Sequence, residues 1–100
     1  MRTMLKVSVP IGTGNRGIKD GSLPKLIESV MERLHPESGY FFAENGKRTM
    51  LMVFDLKDVN QIPSVVEPLF LGLDAEVNLT PVMNADDLRE GLQASSKLRT

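Results

Sequence analysis

Hydrophobic and polar residues alternate along two stretches of the chain, two apolar runs lie between them, and together these patterns predict four strands. Residues 3–9 alternate regularly, which is typical of a strand with one buried face. Two apolar runs over residues 40–54 are joined by Asn45-Gly46 and predict a β-hairpin, because a type I′ turn needs positive φ at both central residues. Residues 76–82 alternate again and predict a fourth strand.

Apolar residues at helical spacing predict three helices. Residues 22–34 carry the first such pattern and residues 62–70 the second, while Asn84 is a suitable cap for a short third helix. Pro68 lies inside the second pattern, where we expect a kink or an early end of the helix. The stretch over residues 10–21 is predicted to be a loop, since it contains four glycines.

The second strand of the hairpin is apolar on both of its faces. Met50, Met52 and Phe54 alternate with Leu51 and Val53, whereas a sheet with one face in water would alternate apolar with polar residues. This pattern predicts that both faces of the sheet are covered. A chain of 100 residues has little material for two covers, so we expect the second cover to be another copy of the chain.

The predicted order of elements, β-α-β-β-α-β with a short C-terminal helix, is the ferredoxin-like plan. It implies an α+β fold in which a four-stranded antiparallel sheet carries both helices on one face. We expect a single domain over residues 1–94 and a disordered tail over residues 95–100. We also expect a homodimer that packs sheet to sheet, which is the arrangement of a dimeric α+β barrel.

Three segments make the chain resemble a known group of proteins: IKDGSLPK, YFFAENGKR and AEVNLTPVM. Over residues 3–92 the chain is similar to the dimeric α+β-barrel superfamily, and in particular to small bacterial members of unknown function. The superfamily includes muconolactone isomerases, antibiotic-biosynthesis monooxygenases and haem-degrading enzymes. The chain has no Trp and a single His, and the His/Asp pair of some members has no counterpart, so the resemblance assigns no catalytic residue.

Charge and composition exclude several classes of partner and functional site. The net charge is −1 and the charges are dispersed, so we expect neither a nucleic-acid partner nor membrane binding. Cysteine is absent, which excludes disulfides, thiolate nucleophiles and cysteine-based metal sites, and we expect no metal and no cofactor. The first ten residues contain no long apolar run, so a cytoplasmic location is expected.

Residues 12–17, GTGNRG, match the dinucleotide-binding pattern G-x-G-x-x-G. In a dinucleotide site the helix opens within this motif, whereas Gly21 delays the predicted helix here. A mobile loop is the simplest interpretation, and a small-anion site of backbone amides with Arg16 and Lys19 is a second one. His35 lies at a predicted helix end without a second ligand nearby, which favours an exposed residue over a metal ligand.

Polar residues of the outer strands form the main candidate site. Lys6, Ser8, Glu76 and Asn78 share one predicted face of two neighbouring strands. Three interpretations remain open, namely an interface network, a solvated sheet edge, or a functional pocket with a Lys–Glu pair.

The function expected from these patterns is the binding of a small, partly apolar molecule. Met50 and Met52 would line a pocket between helices and sheet, although plain core is the simpler interpretation of these methionines. One alternative is a cofactor-independent isomerase or monooxygenase, in which Lys6, Tyr40 or Glu76 handles protons. A second alternative is a purely structural or interaction module.

Overall fold

The computed structural model describes residues 1–98, which form an α+β fold of four strands and four helices. The strands are β1 (Arg2–Val9), β2 (Ser38–Glu44), β3 (Lys47–Asp55) and β4 (Glu76–Pro81). The helices are α1 (Ile11–Asp20), α2 (Ser22–Leu34), α3 (Ile62–Leu73) and α4 (Ala85–Ser96), and a 3-10 turn (Val59–Gln61) precedes α3. The order is β-α-α-β-β-α-β-α, which differs from the predicted ferredoxin-like order by the additional helix α1.

The sheet is antiparallel throughout, with the strand order β2-β3-β1-β4. A two-residue turn at Asn45-Gly46 pairs the flanking residues symmetrically, and the observed register does so, since Phe42 faces Thr49 across the turn. Asn45 and Gly46 have φ values of 54° and 75°, the left-handed conformation that a two-residue turn requires. Because side chains alternate along a strand, this register decides which residues of β2 and β3 reach the core.

One face of the sheet carries the hydrophobic core. Its buried residues on β1 and β3 include Leu5, Val7, Met50, Met52 and Phe54. Helices α2 and α3 cover this face with Leu23, Val30, Val65, Leu69 and Leu73. Full burial of one such side chain contributes about 1.5–3 kcal/mol, so this helix–sheet layer is the main source of hydrophobic stabilisation. The predicted single buried face of β1 is confirmed.

The stretch predicted to be a loop is the helix α1, so that prediction is wrong. Glycine disfavours a helix by about 1 kcal/mol relative to alanine, which is why the local sequence argued against one. Packing overrides this preference, because Gly14 and Gly17 are buried where α1 meets its neighbours. A Cβ atom on Gly17 would lie 2.8 Å from the Cβ atom of Leu23 in α2. These glycines of the G-x-G-x-x-G pattern therefore serve close packing.

Helices α1 and α2 are separated by one residue, Gly21, which has a φ of 81°. Ser22 is the first residue of α2, and Gly21 occupies the cap position. The main-chain N–H of Ser22 donates to the Asp20 carboxylate at 2.8 Å. Hydrogen bonds from the Ser22 side chain and main chain hold the pKa of Asp20 below its usual value.

Helix α3 continues through Pro68 to Leu73, so the expected early end at the proline is wrong. Proline has no N–H to donate, and in a helix this leaves the carbonyl four residues earlier without its partner. The carbonyl in question belongs to Ser64, and it accepts a hydrogen bond from Nη1 of Arg33 in α2 at 2.9 Å. A side chain from the neighbouring helix thus replaces the missing main-chain bond.

Asn84 caps α4 as predicted, in a reciprocal capping box with Asp87. The helix ends at Ser96, and residues 99 and 100 of the expected disordered tail lie outside the described residues.

Gly17→Ala is expected to destabilise the protein by about 1–3 kcal/mol, because the added methyl group would overlap Leu23 at its backbone and Cβ. Gly12→Ala is the matched control in the same helix, since its Cβ would meet only the end of the Arg16 side chain at 3.6 Å. Urea unfolding of both variants measures the difference. Equal stability of the two would contradict the close approach of α1 and α2.

Candidate functional site

The second face of the sheet lies opposite the helices and is called the open face. It carries Met4, Lys6, Ser8, Tyr40, Phe42, Thr49, Leu51, Val53, Glu76 and Asn78. The core residues of α2 and α3 belong to the other face, and all residues of the open face except Thr49 are half-buried or exposed. The side chain of Tyr40 is 63% exposed and that of Phe42 is 38% exposed. The open face therefore presents aromatic and aliphatic side chains to solvent.

The polar residues predicted to share this face do lie together. Lys6 pairs with Asn78, and Ser8 pairs with Glu76, across the β1–β4 ladder. These four side chains and Glu44 line a small cavity of about 100 Å³. That volume is well below the 300 Å³ or more of a typical ligand pocket. The cavity of a single subunit is therefore smaller than a typical site for an organic ligand.

The ion pair within this cluster differs from the expected one. Nζ of Lys6 contacts Oε1 of Glu44 at 2.6 Å, whereas Glu76 faces Ser8. The long side chain of Lys6 reaches the end of the hairpin, where Glu44 precedes the turn. Both partners are about one-third exposed or more, so solvent screens the pair and it adds little net stability.

The other sequence candidates do not join this cluster. Tyr40 lies on the open face but is not among the residues that line the small cavity. Met50 and Met52 are buried in the core, as the simpler interpretation held. Arg16 lies on α1, exposed, with its guanidinium donating to the Thr13 hydroxyl at 3.3 Å. Because this segment is helical, most of its amides bond within α1, which removes the predicted cradle of loop amides.

A larger cleft, which sequence reasoning missed, opens at one end of the helix–sheet layer. Its volume is about 390 Å³, within the range of small-molecule sites. It is lined by residues 33–35 at the end of α2, by residues 54–57 at and beyond the end of β3, and by Gln61, Ser64 and Val65. Phe54, Leu56 and Val65 are buried at its base and form an apolar floor.

Cations outnumber anions around this cleft. Arg33 and Lys57 lie on its wall with His35, and Asp55 is the acidic residue among the lining residues. Asp55 is already engaged, because it contacts the terminal amine of Met1 at 2.6 Å and Nζ of Lys57 at 3.6 Å. Hydrogen bonding and charge from that amine, with a smaller effect of Lys57, hold the pKa of Asp55 below its usual value.

One backbone conformation and one hydrogen bond shape the cleft. His35 ends α2 in the left-handed conformation with a φ of 46°, a geometry that costs a residue with a Cβ more than it costs glycine. His35 is exposed at the helix end, where the sequence predicted it. The Arg33–Ser64 hydrogen bond holds α2 to α3 beside the cleft. Arg33 and Ser64 are 31 residues apart in the sequence and meet only in the folded chain, so sequence periodicity gave no signal for this hydrogen bond.

Two further properties of residues 1–98 bear on function. No group of three or more His, Asp or Glu side chains in this part of the chain is placed to hold a metal ion. No helix within the same residues is long and apolar enough to cross a membrane.

No protein-family model matches the chain, and no curated protein is significantly similar to it. Interpretation of the cleft and of the open face therefore depends on their own geometry.

The Arg33–Ser64 bond predicts an energetic coupling between Arg33 and Pro68. Arg33→Ala is expected to cost about 1 kcal/mol in the wild-type background, because the Ser64 carbonyl loses its protein partner. In a Pro68→Ala background the new N–H would take over this carbonyl, so the same change should cost less. Urea unfolding of the four proteins gives the coupling free energy, and a value of zero would contradict the compensating role of Arg33.

Proposed function

We propose that the protein is a homodimer of the dimeric α+β-barrel type that binds a small, partly apolar molecule with an acidic group. The observation that carries the binding function is the cleft of about 390 Å³ between the ends of α2, β3 and α3. Its buried floor of Phe54, Leu56 and Val65 suits an aliphatic or aromatic body. A site of this kind favours binding over a purely structural role.

The positive charge on the wall of the cleft supports the proposal that the ligand carries an acidic group. Lys57 is well exposed and its partner Asp55 already contacts a second cation, so the charge of Lys57 is not fully compensated. Arg33 donates one N–H to the Ser64 carbonyl, and its guanidinium has four further N–H donors. A carboxylate above the apolar floor would therefore meet at least one cation, whereas a basic ligand would be repelled.

The homodimer is supported by the open face. Tyr40, Phe42, Leu51 and Val53 form an apolar strip on a sheet whose other face is already covered by helices. The central charges on this face compensate each other, because Lys6 pairs with Glu44 in the same chain. A second copy would cover the strip beside an ion pair that is already compensated within its own subunit. Such packing also agrees with the resemblance described above.

The geometry favours this function over the enzymatic alternative. Proton transfer would need Tyr40 and the Lys6–Glu76 region to converge on one cavity large enough for substrate. In the single subunit the polar cavity measures about 100 Å³ and Tyr40 is outside its lining. The larger cleft contains none of these three residues.

Binding is tested by thermal unfolding with hexanoate and benzoate, each compared with its neutral amide. The carboxylates should raise the melting temperature in proportion to RT ln(1 + [L]/Kd), and the amides should have a smaller effect. Lys57→Gln removes a cation from the wall of the cleft and should weaken the carboxylate effect several-fold.

Lys19→Gln is the matched control, because Lys19 is exposed on α1 and does not line the cleft. It should respond to the carboxylates like the wild type. The absence of any carboxylate effect on the wild-type protein, or an equal loss in both variants, would contradict the proposed site.

The dimer is tested by Val53→Asp, which places a carboxylate in the apolar strip of the open face. The variant should be monomeric at concentrations at which the wild type is dimeric, because association would bury two uncompensated charges. Val59→Asp introduces the same charge in the exposed 3-10 turn and should leave the dimer intact. Sedimentation velocity measures both, and a dimeric Val53→Asp protein would refute sheet-to-sheet packing.

A further inference from the structure

Helix α4 is the element least attached to its own subunit. Every residue from 83 to 94 is exposed. Two contacts near its beginning attach it to the sheet. The N–H of Val82 donates to the Arg2 carbonyl at 3.1 Å, and Nη1 of Arg2 contacts Oδ2 of Asp87 at 3.1 Å. Beyond its first turn, α4 extends into solvent.

A helix of this length requires packing to be stable. Helix α4 has 12 residues, and isolated helices shorter than about 12–15 residues are marginal in water. Gly91 in its middle lowers the helical preference by about 1 kcal/mol relative to alanine. The capping box of Asn84 and Asp87 supports the start of the helix but not its second half.

The helix carries an apolar stripe on one side. Leu88 and Leu92 are one helical turn apart and are 46% and 50% exposed. Asp86 and Glu90 lie on the opposite side of the helix, since residues two apart point roughly 160° away from each other. A surface that covers the leucines would therefore leave these acidic side chains in water.

The surface area of the subunit is larger than its mass explains. A compact monomer of 11.1 kDa has an accessible surface of about 5,650 Å², whereas this chain has 6751 Å². The radius of gyration is 16.3 Å, against about 13 Å for a compact chain of 100 residues. The excess area, about 1,100 Å², exceeds the roughly 800 Å² that each partner buries in a stable interface.

We propose that α4 is an arm that packs its Leu88–Leu92 stripe on a second copy of this chain, beside the open face. The inference goes beyond the ligand site and rests on the proposed homodimer. The open face and α4 both carry exposed apolar side chains, and one two-fold axis would cover both in each subunit. The partner subunit thus supplies the packing that α4 lacks in its own chain.

The test compares two alanine pairs on opposite sides of α4. Leu88→Ala/Leu92→Ala removes the stripe without lowering helix propensity, and it should raise the dimer dissociation constant about 100-fold, since four leucines per dimer each contribute about threefold. Glu90→Ala/Gln93→Ala changes the solvent side and should leave the constant within about twofold of wild type. Both are measured on the full chain by sedimentation equilibrium.

The outcomes distinguish this inference from the dimer itself. If Val53→Asp dissociates the dimer but the leucine pair does not, the arm is refuted and the sheet-to-sheet dimer stands. If the wild type is monomeric at every concentration, both are refuted. Because the leucines are exposed in the subunit, their replacement should leave the folded monomer intact, which circular dichroism verifies.

Hydrogen exchange separates the arm from a helix that folds back on its own chain. The main-chain amides of α4 should be protected in the dimer and should lose protection on dilution below the dissociation constant. Protection that does not change with concentration would overturn the proposal, because the helix would then be packed within one subunit.

Discussion

The alternation of side chains across the sheet is the constraint on which the rest of the structure depends. Each strand sends every second residue to the helices, and the Asn45-Gly46 turn fixes which residues these are. The remaining residues face the other side, and in the middle of β3 they include the apolar Leu51 and Val53. The chain therefore builds one complete helix–sheet layer and an apolar face with no layer of its own. A second subunit is the simplest cover for that face.

The cleft follows from how the helix layer ends. Helix α2 ends at Leu34 and β3 ends at Asp55, and residues at both ends line the cleft with the buried Phe54. Helix α3 closes the other side, and Arg33 links it to α2 through the carbonyl that Pro68 leaves without a main-chain partner. A proline that would weaken the helix is thus accommodated by the side chain that shapes the cleft wall.

Patterns within a few residues predicted much of this fold. The hairpin register, the buried face of β1 and the cap of α4 all depend on local spacing or turn chemistry, and all three are observed. Helix α1 could not be predicted this way, because its glycines are unfavourable locally and become useful only against Leu23. Lys6 likewise pairs with Glu44 and not with Glu76 because its long side chain reaches across the sheet, which local sequence spacing does not show. The cleft joins three distant segments, so no single stretch of sequence signals it.

Coverage of the open face by a second copy of the chain is the proposal on which the others depend. Sedimentation velocity of the wild-type protein at micromolar concentration tests it most directly. A sheet-to-sheet dimer should sediment as a single species of twice the chain mass of 11.1 kDa. A stable monomer with the same frictional behaviour at every concentration would contradict it, since the apolar strip and α4 would then both remain in water.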